Sequence, residues 1–248
     1  MLSMTELERA FADLGLDAPV RFDEVTGSTN ASALEMAEAG APEWTLVAAG
    51  HQTAGRGRLG RTWIDRAGAA LMFSFVVRPS LEPERAGLIP LLAGATMAVA
   101  IRDVAGVDVR CKWPNDLLVG DAKVGGILVE SSVVDGRLAH VVVGIGVNLE
   151  VPGDVRAAAG IGNVDPAALL TSFLRTFHEG YVHLPEGAAE AWTELSATIG
   201  RSVDVTRRDG PSIRGRAIAV DERGALVLET GNGMVIVSSG EVEHLSVG

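Results

Sequence analysis

The most informative segment of this sequence is residues 51–63, because its composition suits the binding of an anion. It contains three arginines, three glycines and no acidic residue, although the whole chain carries a formal net charge of −11. Arginine side chains bind phosphate through paired hydrogen bonds, and glycines let the backbone approach an anion and let a loop move. The segment ends at Trp63, whose flat ring is suited to stack on a base. These features predict a phosphate-binding loop, with a solvated basic loop as the alternative.

Polar residues recur at the predicted ends of strands and helices. Residues 112–116, Lys-Trp-Pro-Asn-Asp, form either a plain turn or a group that grips a ribose or a metal–phosphate. Lys123 opens an apolar strand beside two glycines, either as a surface lysine or as a point charge for an anion. Residues 27–30, Gly-Ser-Thr-Asn, either cap a helix or bind a small polar head group. Asn148 ends another apolar strand after Gly-Ile-Gly-Val, where a buried amide requires partners.

The composition argues against several other kinds of protein. A sequence pI of about 4.9 lacks the basic footprint of a general nucleic-acid binder. The sequence has no uninterrupted apolar run of about 18 residues, so no transmembrane helix is predicted. Residues 1–19 do not resemble a signal peptide. The five histidines and Cys111 show no metal-ligand spacing, and the chain has no Gly-x-Ser-x-Gly segment. A single cysteine fits a reducing cytoplasm, and we expect neither a nucleic-acid nor a membrane partner.

The order of predicted elements indicates an α+β fold, with a mixed sheet packed with helices. We predict helices over residues 28–40, 83–104, 167–181 and 187–199, and strands over residues 45–49, 70–77, 107–112, 117–119, 124–133 and 138–149. After residue 200, short β-rich runs alternate with tight turns, which favours a small β-barrel of four or five strands. We therefore expect one domain over residues 1–199 and a second over residues 200–248.

Taken together and in their order along the chain, the motifs resemble those of the biotin protein ligases. The resemblance covers residues 20–150 and rests on Gly-Ser-Thr-Asn, Gln-Thr-Ala-Gly-Arg-Gly-Arg-x-Gly-Arg-x-Trp, Lys-Trp-Pro-Asn-Asp, Lys-x-Gly-Gly-Ile-Leu-Val-Glu and Gly-Ile-Gly-x-Asn-Leu. It implies a catalytic domain of the class II synthetase-like, biotin–lipoate ligase fold, followed by a small SH3-like barrel. About twenty residues before the first strand are too few for the winged-helix domain of ligase–repressors, so the chain resembles the monofunctional type.

The resemblance implies an ATP-dependent ligase that works in two steps. The biotin carboxylate attacks the α-phosphorus of Mg²⁺-ATP to give biotinyl-5′-adenylate, and a lysine of a biotin carboxyl carrier domain, usually of acetyl-CoA carboxylase, then displaces AMP. No enzyme nucleophile is needed, since alignment and charge stabilisation supply the catalysis. A reactive acyl-adenylate must be shielded from water, so we expect residues 51–63 to be mobile without ligand and ordered with adenylate.

Matching the motifs position by position assigns residues of this chain to the implied site. The catalytic residues would be Lys123, Arg56 and Arg58. The biotin-binding residues would be Ser28, Thr29, Asn30, Gln52, Arg56, Gly57, Arg58, Lys123, Gly125 and Gly126. The nucleotide-binding residues would be Arg58, Trp63, Asn115, Lys123 and Asn148, and Asp116 would be the candidate ligand of Mg²⁺.

Other functions stay open on the sequence alone. A lipoate ligase or octanoyl transferase shares the scaffold, but the arginine–glycine segment and Lys-Trp-Pro-Asn-Asp favour biotin. A non-catalytic biotin sensor is a second alternative, although binding biotin alone does not require Lys123 or the loop arginines. A transcriptional regulator is disfavoured by the acidic balance of the chain and by its short N-terminal segment.

Overall fold

The computed structural model describes residues 2–153, 155, 157–208 and 210–245, and its first part contains a seven-stranded sheet. The strands are β1 (Val20–Asp23), β2 (Leu46–Ala49), β3 (Ala70–Val77), β4 (Arg110–Lys112), β5 (Asp116–Val119), β6 (Ala122–Val134) and β7 (Arg137–Asn148). They lie in the order β1-β2-β3-β7-β6-β5-β4. Strands β1 and β2 are parallel and the other neighbours are antiparallel, so the predicted mixed sheet is confirmed.

Helices cover both faces of this sheet, which explains why strand β3 is buried along its whole length. The helices are α1 (Met4–Asp13), α2 (Thr29–Glu38), α3 (Leu88–Ala105), α4 (Pro166–Tyr181) and α5 (Ala188–Glu194). On one face Ala33 of α2 packs with Val76 and Val142, and on the other Phe75 contacts Phe173 of α4. All eight residues of β3 are buried, because successive side chains point to opposite faces and both faces are covered.

The segment Pro83–Ala105 contains the most apolar helix and lies in the core. By length and composition alone it could cross a membrane, with a mean hydropathy of 1.6 over its most apolar window. In the folded chain 67% of that window is buried inside the protein. A short 3-10 turn over Pro83–Arg85 leads into α3, which contacts α4, α5 and β6. These contacts are those of a core helix, and they agree with the predicted buried helix.

The second sheet has five antiparallel strands and follows the helices. The strands are β8 (Ser202–Thr206), β9 (Ile213–Val220), β10 (Leu226–Thr230), β11 (Gly233–Val237) and β12 (Glu241–His244), in the order β11-β10-β9-β8-β12. The predicted α+β fold with a small C-terminal β structure is therefore confirmed, and this sheet is consistent with an SH3-like fold. The division of the chain into domains at residue 200 stays a prediction.

The predicted helix over residues 187–199 is wrong in its second half. Helix α5 ends at Glu194, and the residues after it pair with β4 instead. The Cys111 amide donates to the Leu195 carbonyl at 2.8 Å, and the Ala197 amide donates to the Cys111 carbonyl at 2.8 Å. These bonds use the backbone groups that another helical turn would need internally. Pairing with a neighbouring strand has therefore overridden the local helical pattern.

Two further differences concern shorter segments. Helix α1 was not predicted, although Leu7 and Phe11 lie on one side of it and are buried. The predicted strand over residues 107–112 is reduced to the three residues of β4. Both segments lie at the margin of the first sheet, where α1 packs beside the edge strand β1 and β4 is the strand at the other edge.

Trp113 connects the two sheets. Its side chain is only 2% exposed, and its indole Nε1 donates to the Gly224 carbonyl at 3.1 Å in the turn before β10. Its backbone amide donates to Thr198 Oγ1 at 3.0 Å. The segment at residues 112–116 therefore fixes the second sheet against the edge of the first.

Candidate active site

A cleft of about 950 Å³ lies beside the N-terminus of α2 and collects most of the predicted site residues. It is bordered by the loop at residues 51–63, by residues 112–116, by β6 and β7, and by the start of β12. The predicted residues that line it are Ser28, Thr29, Asn30, Gln52, Arg56, Gly57, Arg58, Trp63, Asn115, Asp116, Lys123 and Gly126. Four sequence segments that are far apart in the chain thus form one site.

Buried hydroxyl and amide groups form a connected set at the N-terminus of α2. Ser28 caps the helix, and the Thr29 amide donates to Gln52 Oε1 at 2.7 Å. Ser74 Oγ of β3 lies 2.8 Å from Thr29 Oγ1 and 2.9 Å from Asn30 Oδ1. Ser74 was missed by the sequence reasoning, although it is the only polar residue of an apolar strand. This end of the cleft is suited to a small uncharged group that carries both N–H and C=O.

The glycines of β6 and β7 leave room for side chains from other segments. A Cβ added to Gly144 would overlap Asn30 Oδ1, and one added to Gly146 would lie 2.7 Å from the Trp63 ring. The Gly-Ile-Gly segment therefore seats one residue of α2 and one of the loop. Gly125 points to the other face of β6 and does not line the cleft, and its added Cβ would lie 2.8 Å from the Gly146 carbonyl.

Asn148 lines a neighbouring cavity of about 620 Å³ rather than the main cleft. Its amide donates to the Ala159 carbonyl at 3.1 Å, which supplies the partner that a buried amide needs. The segment that contains Ala159 also pairs with Lys123, whose backbone amide donates to the Ala157 carbonyl at 2.8 Å. Trp63 and Lys123 line both cavities, so the second cavity continues the first.

At the end of the cleft opposite the buried hydroxyls, cationic side chains are paired with side-chain oxygen atoms of neighbouring residues. The Lys123 ammonium is paired with Asp116, and the Arg58 guanidinium donates to Asn115 Oδ1 at 3.2 Å. Burial lowers the pKa of Arg58, while the charges of Glu241 and Asp116 oppose that effect. Because the ordinary pKa of arginine lies far above neutrality, Arg58 remains a cation at physiological pH. The positive groups are therefore positioned before an anion arrives.

The second sheet contributes to the same cleft through the start of β12. Glu241 and Val242 line the cleft, and Arg58 donates to the Gly240 carbonyl at 3.4 Å. Glu241 also forms an ion pair with Arg61, the third arginine of the loop. The sequence reasoning missed this contribution, because residues 182 positions apart carry no local signal of their contact.

The loop at residues 51–63 doubles back on itself. The Gly57 amide donates to the Arg61 carbonyl at 2.8 Å, and Gly60 has a φ of +76°, which favours glycine. At the base of the loop, His51 Nδ1 lies 2.8 Å from a carboxylate oxygen of the buried Asp65. The contact between His51 and Asp65 therefore joins the two ends of the loop. Mobility of the loop without ligand stays a prediction.

Acidic and thiol groups offer little support for a resident metal. Within the described part of the chain, no group of three or more His, Cys, Asp or Glu side chains could hold a metal ion. Burial raises the pKa of the Cys111 thiol to about 12, which keeps it protonated. Mg²⁺ is commonly held by one or two carboxylates together with substrate phosphates, so Asp116 fits a metal that arrives with a nucleotide.

Comparison with known proteins agrees with this geometry. Residues 22–148 match the Biotin/lipoate A/B protein ligase family, and residues 198–245 match the Biotin protein ligase C terminal domain. The Bifunctional ligase/repressor BirA of Bacillus subtilis is 32% identical over 90% of this chain and 73% of its own length. The Biotin--[acetyl-CoA-carboxylase] ligase of Mycobacterium tuberculosis is 34% identical over 89% of this chain and 86% of its own.

A solved structure shows the same fold. The biotin protein ligase from Aquifex aeolicus in complex with biotin and ATP aligns with a TM-score of 0.75 and 26% identity. The alignment covers 92% of this chain and 99% of the Aquifex chain. The chain therefore belongs to the biotin/lipoate A/B protein ligase family. Within that family it is a biotin protein ligase.

Proposed function

We propose that the cleft joins biotin to ATP and then transfers the biotinyl group to a lysine of a biotin carboxyl carrier domain. In the first step a carboxylate oxygen of biotin bonds to the α-phosphorus, and the bond to the β-phosphate breaks and releases pyrophosphate. In the second step the uncharged lysine amine attacks the acyl carbon, loses a proton and displaces AMP. The Mycobacterium relative is named for acetyl-CoA carboxylase, which supports a carrier domain as the acceptor.

The observation that carries this proposal is the polarity of the cleft. One end holds buried uncharged hydrogen-bonding groups, and the other holds Lys123 and Arg58. Biotin has the matching polarity, because its ureido ring is uncharged and its carboxylate lies at the far end of an aliphatic chain. The cations are then placed to stabilise the negative charge that the α-phosphate develops during attack.

The neighbouring cavity is the proposed seat of the adenosine. Trp63 lies between the two cavities with its ring against Gly146. Asn148, which lines the neighbouring cavity, and Asn115, which lines the main cleft, are the proposed polar contacts of the nucleotide. When bound, Mg²⁺ would supply positive charge to the ATP phosphates. Asp116 is the proposed ligand, since its carboxylate lines the cleft.

Biotin-dependent exchange of labelled pyrophosphate into ATP tests this function. We expect exchange with biotin and none above background with lipoate or octanoate. Exchange driven by lipoate would instead assign the chain to the lipoate branch of the family. Biotin binding without exchange would indicate a sensor.

We predict that Gly146→Ala weakens ATP binding by about tenfold or more. The added methyl group would lie 2.7 Å from the Trp63 ring, so the ring must shift from the proposed adenine position. The measurement is the KM for ATP in the exchange assay, with Gly231→Ala as the control, because no atom lies within 4 Å of a Cβ added there. Equal KM values for the two variants would remove Trp63 from the nucleotide site.

We also predict that biotin together with ATP slows tryptic cleavage within the loop. Cleavage after Arg56, Arg58 or Arg61 requires an open backbone, and an ordered loop over the adenylate would deny it. Mass spectrometry of timed digests measures this, and cleavage at Arg208 in the turn between β8 and β9 serves as the internal reference. Loop cleavage that is unaffected by both ligands would contradict the proposed closure.

A further inference from the structure

We propose that Glu130 is a positioning residue of the biotin site. It orients the amide of Asn30 at the buried polar end and the guanidinium of Arg56 beside it. This role rests on the proposed function, because it concerns how the same cleft holds biotin. Glu130 is the last residue of the Lys-x-Gly-Gly-Ile-Leu-Val-Glu motif, and its contacts with Asn30 and Arg56 appear only in the folded chain.

The contacts of Glu130 are all made by donors. Its Oε2 atom accepts from Asn30 Nδ2 at 2.7 Å and from Arg56 Nη1 at 3.0 Å, while Oε1 accepts from Arg56 Nη2 at 2.7 Å. The side chain projects from the face of β6 that also carries Gly126 and Leu128, both of which line the cleft. One quarter of the Glu130 side chain is exposed, so water screens these bonds only in part.

The charge of Glu130 determines which way the Asn30 amide faces. A carboxylate only accepts hydrogen bonds, so the NH₂ group of Asn30 must face it and the Asn30 oxygen must face away. That oxygen receives the Ser74 hydroxyl at 2.9 Å. Ser74 Oγ also donates to Thr29 Oγ1 at 2.8 Å, and the Thr29 hydroxyl donates to Gln52 Oε1 at 3.2 Å. The orientation of the Asn30 amide at the polar end is therefore set by one carboxylate at its edge.

The packing around Asn30 leaves no room for the amide to move aside. Asn30 is 3% exposed, and its oxygen occupies the space where a Cβ on Gly144 would lie. A change in hydrogen bonding must therefore be met by a flip of the amide rather than by a shift of the side chain. A flip would turn the NH₂ group toward Ser74 and reverse the pattern that the ureido ring meets.

The variant Glu130→Gln imposes that reversal while keeping the size of the side chain. The guanidinium of Arg56 only donates, so it retains the oxygen of the new amide and leaves the new NH₂ group facing Asn30. Two NH₂ groups then oppose each other unless Asn30 flips. Asn30→Asp creates the opposite mismatch, since two carboxylates meet. In the double variant the carboxylate, now on α2, accepts from the amide, now on β6, and from Ser74. The hydrogen bond between positions 30 and 130 and the net charge therefore return, although Arg56 Nη1 loses its acceptor as in E130Q.

The experiment compares wild type, E130Q, N30D and the double variant by biotin binding in a calorimeter and by exchange kinetics. We expect each single variant to bind biotin about 10- to 100-fold more weakly, as for a mismatched hydrogen bond to a charged group. The double variant should bind biotin at least tenfold more tightly than the single variants do. The KM for biotin should change more than kcat does. Glu229→Gln, an exposed glutamate of β10, is the matched control and should bind as wild type does.

The outcomes separate the role of Glu130 from the proposed function. Suppose that wild type binds biotin normally and that the loss of affinity in the double variant equals the product of the two single losses. This result overturns the role of Glu130 alone. Unchanged binding in E130Q has the same consequence. Failure of folded wild-type protein to bind biotin overturns the proposed function and the role of Glu130 together. Urea unfolding of all four proteins shows whether the single variants are folded when binding is measured.

Discussion

Replacing Lys123 with methionine is expected to lower biotin-dependent pyrophosphate exchange by about 10²- to 10³-fold, the usual cost of losing one group that stabilises a developing charge. The ammonium lies at the junction of the two cavities, where the biotin carboxylate and the α-phosphate would meet. Methionine keeps much of the length and apolar volume of the lysine stem and removes only the charge. The chain would then bind both substrates and react slowly.

The same substitution should leave the fold almost unchanged. The Lys123 side chain is 42% exposed and its partner Asp116 is 26% exposed, so their ion pair should contribute no more than about 1 kcal/mol to the free energy of unfolding. Urea unfolding measures that value, and Arg214→Met provides a control that breaks an ion pair with Asp204 in the second sheet. A Lys123→Met protein that is poorly folded, with normal activity per folded molecule, would contradict the catalytic role.

Replacing Trp113 with alanine is expected to lower the free energy of unfolding by about 3–5 kcal/mol, as for other large side chains removed from cores. The ring is 2% exposed and lies between the edge of the first sheet and the turn before β10. Its removal leaves a cavity and also leaves the Gly224 carbonyl without its indole donor. Both effects weaken the contact between the sheets, so stability should fall far more here than on replacing Lys123.

Two further variants separate the packing of Trp113 from its hydrogen bond. Trp113→Phe keeps an aromatic ring but removes the donor, and should lower the free energy of unfolding by about 1–3 kcal/mol. Ile236→Ala removes a side chain that is 65% exposed in β11, and should change the free energy of unfolding by about 0.5 kcal/mol or less. A Trp113→Ala protein within about 1 kcal/mol of wild type in urea would show that the indole does not hold the sheets together.

The elements with strong local patterns could be predicted from the sequence. The strand over residues 70–77 is confirmed at both ends, and the predicted helix over residues 28–40 corresponds to α2, with Ser28 as its cap. Hydrophobic periodicity and capping are properties of neighbouring residues, so they are visible before the chain folds. The helix predicted over residues 195–199 was wrong because the partner of this segment, β4, is more than eighty positions away.

The site was predictable as a set of segments but not as a set of contacts. The glycines at 144 and 146 could be recognised as a motif, yet their purpose depends on Asn30 and Trp63, which the fold brings onto them. The contribution of Glu241 and the position of Glu130 depend in the same way on distant residues. Ser74 did give a local signal, since it interrupts an apolar strand, and a buried polar residue requires partners.

The most direct test is to incubate the protein with biotin, Mg²⁺-ATP and a biotin carboxyl carrier domain, and to weigh the carrier by mass spectrometry. The proposed function predicts a mass gain of one biotinyl group on a single lysine, which requires ATP and is strongly slowed in Lys123→Met. The same reaction with lipoate should leave the carrier unchanged. A carrier that gains no mass in the presence of folded protein, biotin and ATP, or one that gains lipoyl instead, would contradict it.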